Sequence, residues 1–106
     1  MTEKTNRVQN LFDLTGRVAI VTGGAGLLGY HHADILAAAG AHVILLDLPI
    51  AKPELRAQQL TDAHGVECLG LGGDITSEES LLQVRDAIIQ KFGRIDILIN
   101  NAANNP

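Results

Sequence analysis

Four glycines fall within eight residues, Thr22-Gly-Gly-Ala-Gly-Leu-Leu-Gly29, directly after the apolar run Val18-Ala-Ile-Val21. An apolar run entering a glycine cluster reads as a buried strand turning into a helix. Glycines let backbone approach a ligand closely. The start of a helix offers free N–H groups and the positive end of its dipole. The chemistry suited to that arrangement is anion binding, of a diphosphate above all. Gly24-Ala-Gly26-Leu-Leu-Gly29 is also literally G-x-G-x-x-G, a pattern with weight only between a strand and a helix, which is its context here. The alternative is a tight strand-to-helix turn without a ligand.

Three further sites have side chains fit for the rest of a dinucleotide. Asp47 ends a second apolar run, eighteen positions past Gly29. A carboxylate there can accept from the hydroxyls of an adenosine ribose, and it repels a 2′-phosphate; alternatively it is only an exposed strand-end aspartate. Leu48 follows it, and no Arg or Lys lies there or in the glycine turn, so NAD is favoured over NADP. Asp74 follows a third run. Its carboxylate can accept from an adenine amino group while the Ile75 backbone borders the ring; alternatively it only caps the next loop. Leu98-Ile-Asn-Asn-Ala-Ala103 closes the fourth run. Buried amides must find partners, so Asn100 and Asn101 can tie this strand to its neighbour, and small Ala102 lets a cofactor pass close by. His31 and His32 are adjacent on a helix and so diverge. His42 and His64 stand alone in the sequence. No metal-ligand spacing appears, and no metal site is assigned.

The elements that must position these residues alternate. Strands are expected at residues 17–21, 42–46 with Asp47 at the end, 66–71 and 95–100. Helices are expected at 26–39, 53–64 and from a capping box at Thr76-Ser-Glu-Glu79 to Phe92. Pro53 suits a first helical position, and Gly40, Gly65 and Gly93 suit helix ends. Leu81, Val84, Ile88 and Phe92 share one face of the third helix. The fold class is therefore α/β: a doubly wound parallel sheet of the Rossmann type, β-α-β-α-β-α-β, with strand order 3-2-1-4. Ligands of such sheets bind where the order reverses, at the carboxyl ends of strands 1 and 4.

Composition narrows the function classes. The 106 residues are 46% hydrophobic but 3% aromatic, as suits an aliphatic parallel sheet. A net charge of −4 without a basic cluster argues against nucleic acid. The single cysteine, Cys68, excludes an internal disulfide and reads as a small core residue. No run approaches membrane-spanning length, so a soluble cytoplasmic protein is expected. Residues 1–10 read as a flexible polar leader.

Taken together, Thr22-Gly-Gly-Ala-Gly-Leu-Leu-Gly29, Asp47, Asp74-Ile75 and Asn100-Asn-Ala102 resemble the short-chain dehydrogenase/reductase family. The resemblance covers about residues 11 to 105. It implies that Gly23, Gly24, Gly26, Leu27, Leu28 and Gly29 bind the cofactor diphosphate. It assigns Asp47 and Leu48 to the adenosine end of NAD, Asp74 and Ile75 to the adenine, and Asn100, Asn101 and Ala102 to the sheet and the ribose near the nicotinamide. The turn departs from the classical pattern, with Leu27 where glycine is usual, and approaches the spacing of the extended branch. The Asn-Asn-Ala segment is of classical type, so a classical-type member with an atypical turn is favoured.

Family members transfer hydride with a tyrosine and a lysine four residues apart. The one tyrosine here, Tyr30, has Asp34 at that distance. No catalytic residue is assigned. The chain reads as the N-terminal, NAD-binding part (residues 11–106) of a longer homo-oligomeric dehydrogenase acting on an alcohol or carbonyl, a sugar or hydroxy acid among them. Its catalytic part is absent, and the chain alone is expected to be inactive. Two other readings stay open: an NAD-dependent nucleotide-sugar epimerase or dehydratase, and a non-catalytic dinucleotide-binding module.

Overall fold

The computed structural model describes residues 13–101. The expected leader at 1–10 and Ala102 lie outside the described residues. Strand β1 (Val18–Thr22) leads through the glycine turn into helix α1 (Leu27–Ala38). Strand β2 (His42–Asp47), helix α2 (Pro53–His64), strand β3 (Leu69–Gly72), helix α3 (Glu78–Phe92) and strand β4 (Ile97–Asn100) follow. All pairings are parallel, and the sheet order is β3-β2-β1-β4 as expected.

Strand alternation divides the core between the two faces of the sheet. Val43 and Leu45 meet α1 and α2 through Val21, Ala33, Ala37, Ala57 and Leu60. Ile44 and Leu46 meet α3 through Val18, Val84 and Ile88. Helix α1 buries Gly29, Ala33 and Ala37, one small residue per turn, and so lies close against the sheet. Two side-chain contacts tie α1 to α2. His64 Nε2 lies 2.6 Å from Asp34 Oδ1, and the Arg56 guanidinium sits 4.7 Å from the centre of the Tyr30 ring. His42 is not isolated in space either: it stacks on Phe92.

Several element ends differ from expectation, each for an identifiable reason. β3 begins at Leu69, because the preceding backbone is held by side chains: Glu67 N donates to His42 Nδ1 and Cys68 N to Thr61 Oγ1. Burial pushes the Cys68 thiol pKa up, in keeping with a packing role. The cap of α3 is Ser77, which accepts from Ser80 N. Thr76 instead turns back to Asp74, to which its hydroxyl and N–H both donate. Gly65 and Gly93 take the expected left-handed conformation as caps; α1 ends on Ala39 in the right-handed region, and the positive φ falls on Gly40 directly after it, at 102°. A short 3₁₀ turn, Pro49–Ala51, precedes α2 and was not legible beforehand.

β4 begins at Ile97, and Asp96 fastens its lower end. The Asp96 carboxylate accepts from Val18 N at 2.9 Å and from Arg94 at 2.7 Å, while Asp96 N donates to Val18 O. The Arg94 guanidinium first, and then the Val18 N–H, hold the Asp96 carboxyl below its ordinary 3.8. A carboxyl whose pKa is lower when folded supports the fold above its unfolded value and loses that effect as pH falls through the folded value. Asp96→Ala is therefore expected to lower Tm by several degrees at pH 7. The deficit should shrink below about pH 4, and thermal melts across pH check this.

Candidate functional site

The glycine turn, the end of β2, the segment after β3 and the residue after β4 meet around one cavity of about 580 Å³. That is the size of a small-molecule site. The turn contributes Gly23, Gly26, Leu27, Leu28 and Gly29, and β2 contributes Leu46, Asp47 and Leu48. Gly73, Asp74, Ile75 and Thr76 form a third wall, and Asn101 closes the side toward β4.

Backbone geometry explains three of the four glycines in the turn. Gly23 has φ 65°, a conformation L side chains rarely adopt. A Cβ on Gly24 would lie 2.9 Å from both the Leu45 side chain and Val21 O. A Cβ on Gly29 would lie 2.1 Å from Gly23 O and 2.8 Å from Asn101 Nδ2. Gly26 differs: it is extended (φ −76°, ψ 169°), and a Cβ there would meet only Gly23 O, at 3.5 Å. The letter pattern thus includes one glycine that sterics do not demand.

The start of α1 is prepared for an anion in a way the other helices are not. Gly26 stands at its N-cap with no side-chain cap, and its first turn carries no acidic residue. Helix α2 has Glu54 in that turn, and α3 has Glu78, Glu79 and the Ser77 cap. The positive end of the α1 dipole therefore faces the cavity without a protein carboxylate in its first turn.

Asp47 reaches across to the turn: Oδ2 accepts from Ala25 N at 3.0 Å and Oδ1 from Leu48 N at 2.8 Å. Asp74 is exposed, and its Oδ1 accepts from Thr76 N at 2.9 Å and Thr76 Oγ1 at 2.6 Å. The Thr76 hydroxyl first, and then its N–H, lower the Asp74 pKa, so the group is ionised at neutral pH. The loop-capping role weighed for Asp74 is thus present alongside its place on the wall.

Two expected site residues fall elsewhere. Gly24 packs beneath the turn against Leu45. Asn100 opens on a second, apolar groove of about 360 Å³ beside β4, lined also by Ile20, Ile75, Leu81 and Leu98. Ala102 lies outside the described residues. Sequence reasoning missed Leu46, Gly73 and Thr76 on the cavity wall. It also missed Thr22, whose hydroxyl donates to Asn100 Oδ1 at 3.1 Å and accepts from Asn101 N at 3.0 Å. A hydroxyl at the last position of a buried strand was the available signal. Tyr30 packs against the α1–α2 side of the core under Arg56, away from the cavity wall.

The donors and acceptors present fit a dinucleotide: a bare helix start for a diphosphate, two carboxylates for hydroxyl or amino groups, and apolar Leu48 and Ile75 for a ring. Known proteins agree with this at the level of family. The family profile for short chain dehydrogenases matches residues 17–106. The peroxisomal 2,4-dienoyl-CoA reductase of Danio rerio is 36% identical over 92 residues, 87% of this chain and 31% of that protein. The L-sorbose reductase of Gluconobacter frateurii, solved with NADPH and L-sorbose, superposes with a TM-score of 0.83 at 29% identity, covering 90% of this chain and 36% of that one. An NAD+-bound xylitol dehydrogenase gives 0.79 at 36% identity, covering 85% and 34%. The chain spans about a third of the length of these relatives. With nearly its whole length matched, the chain belongs to the short-chain dehydrogenase family.

Proposed function

We propose that residues 11–106 form the NAD-binding part of an oxidoreductase that moves hydride between NAD and an alcohol or carbonyl substrate, in a homo-oligomeric enzyme. In this reading Gly23, Gly26, Leu27, Leu28 and Gly29 surround the diphosphate. Asp47 and Leu48 hold the adenosine ribose, Asp74 and Ile75 border the adenine, and Asn101 lies toward the nicotinamide. NAD, when bound, supplies the hydride-accepting ring; these residues bind and orient it.

The observation that carries the reading is the charge of the cavity wall. It has the start of α1 on one side and Asp47 and Asp74 on the others, with no Lys or Arg among its described lining residues. The diphosphate can meet the free N–H groups at the start of α1, whereas an added 2′-phosphate meets the carboxylates of Asp47 and Asp74 without a cation among the described lining residues. Relatives solved with NADPH and with NAD+ both exist, so this chain's own residues must decide between them. Fluorescence titration of the chain with NADH and NADPH is expected to give a Kd for NADH lower by at least about tenfold, with the gap narrowing as salt rises. Equal or tighter NADPH binding would remove Asp47 as the discriminating group. Absence of binding by either would remove the dinucleotide reading.

A further inference from the structure

The bonds around Asp47 exceed what a ribose acceptor requires. Its two carboxylate oxygens take backbone N–H groups from two different segments, Ala25 in the glycine turn and Leu48 in its own connection. Its carbonyl accepts from Gly73 N at 2.9 Å, and the carbonyl of neighbouring Leu46 accepts from Gly24 N at 3.3 Å. Three walls of the cavity are therefore fastened at one residue. The Ala25 bond spans 22 positions and joins the tip of the turn to the adjacent strand. Ala25 stands one residue before the N-cap of α1, so the bond also bears on where the helix starts.

We propose that Asp47 is a positioning residue for the glycine turn: its carboxylate holds the Ala25 N–H and sets the turn's shape before any dinucleotide arrives. Each carboxylate oxygen has two acceptor sites and spends one on a backbone N–H. The remaining sites can take ribose hydroxyls without releasing the turn. A turn already fixed loses less freedom when ligand binds. The proposal rests on the cofactor reading only in treating the turn as the ligand site.

The test is amide hydrogen exchange by NMR on the full chain without ligand. Asp47→Ala is expected to speed exchange at Ala25 by about tenfold or more, the effect of losing a charge-assisted bond, with Ala19 and Val43 in the strands unchanged. Asp47→Asn keeps one acceptor oxygen and should restore part of the protection. Unchanged exchange at Ala25, or equal acceleration at Ala25 and the strand amides, overturns the proposal. If Asp47→Ala does not fold, scalar coupling across the bond from Ala25 N to the Asp47 carboxyl carbon in the native chain decides: present supports it, absent overturns it. NADH titration of the same sample separates the two readings. Intact coupling without NADH binding removes the cofactor reading and leaves the turn's fastening in place.

Discussion

Gly29→Ala is expected to abolish NADH binding and to destabilise the fold by about 3 kcal/mol, at the upper end for overpacked sites. The added Cβ would lie 2.1 Å from the Gly23 carbonyl oxygen. Neither party can swing aside, because one is backbone and the other is in a helix. Gly23 itself is held in a left-handed conformation that links the turn to β1. Relief must come from moving the start of α1 away from the turn, and that movement pulls apart the N–H groups grouped for an anion. Gly26→Ala is the control. Its φ and ψ suit any residue and its Cβ has ordinary contact distance, so it should cost at most about 1 kcal/mol. Urea unfolding and NADH titration of both variants check the contrast. Equal damage from the two would mean that the glycine pattern, rather than the close approach at Gly29, is what matters.

Leu60→Ala should have the second large effect, a loss of about 2–5 kcal/mol. Leu60 is fully buried on α2 and belongs to the cluster that also holds Val21, Ala33, Ala37 and Leu45. A cavity there lies under the same helix pair that positions the turn. Against a total stability of about 5–15 kcal/mol for a domain, the loss is a large fraction. Denaturant unfolding measures it; a change under about 1 kcal/mol would mean that the two helices close around the gap.

Much of this arrangement was legible in the residues, and the parts that were not share a cause. Apolar runs of strand length alternating with helical spacing dictated the element order, the chirality of parallel crossovers put helices on both faces, and the Rossmann pattern supplied 3-2-1-4. Pro53, Gly65 and Gly93 marked helix ends because each carries its own backbone preference. The start of β3 differs because the side chains of His42 and Thr61 hold the backbone before it, and the cap of α3 lies one residue on because the Thr76 backbone belongs to the Asp74 turn. The cavity follows the same division. Asp47 ends β2 and Asp74 comes two residues after β3, so both reach the wall by topology alone. Thr22 escaped notice because its partners lie at Asn100 and Asn101, beyond any local pattern. Gly26 lines the cavity yet has room for a side chain, which spacing in letters does not reveal.

The central strand has neighbours of very different ages. β1 pairs with β2 along one edge and with β4 along the other. A ribosome releases the chain from its N-terminus, so β2 is available to β1 while Ile97–Asn100 is still untranslated. During that interval the second edge of β1 shows unpaired N–H and C=O groups. Closing so long a loop is entropically late as well as chronologically late. The nascent protein thus has a period in which one flank of its sheet is sealed and the other is open to strangers.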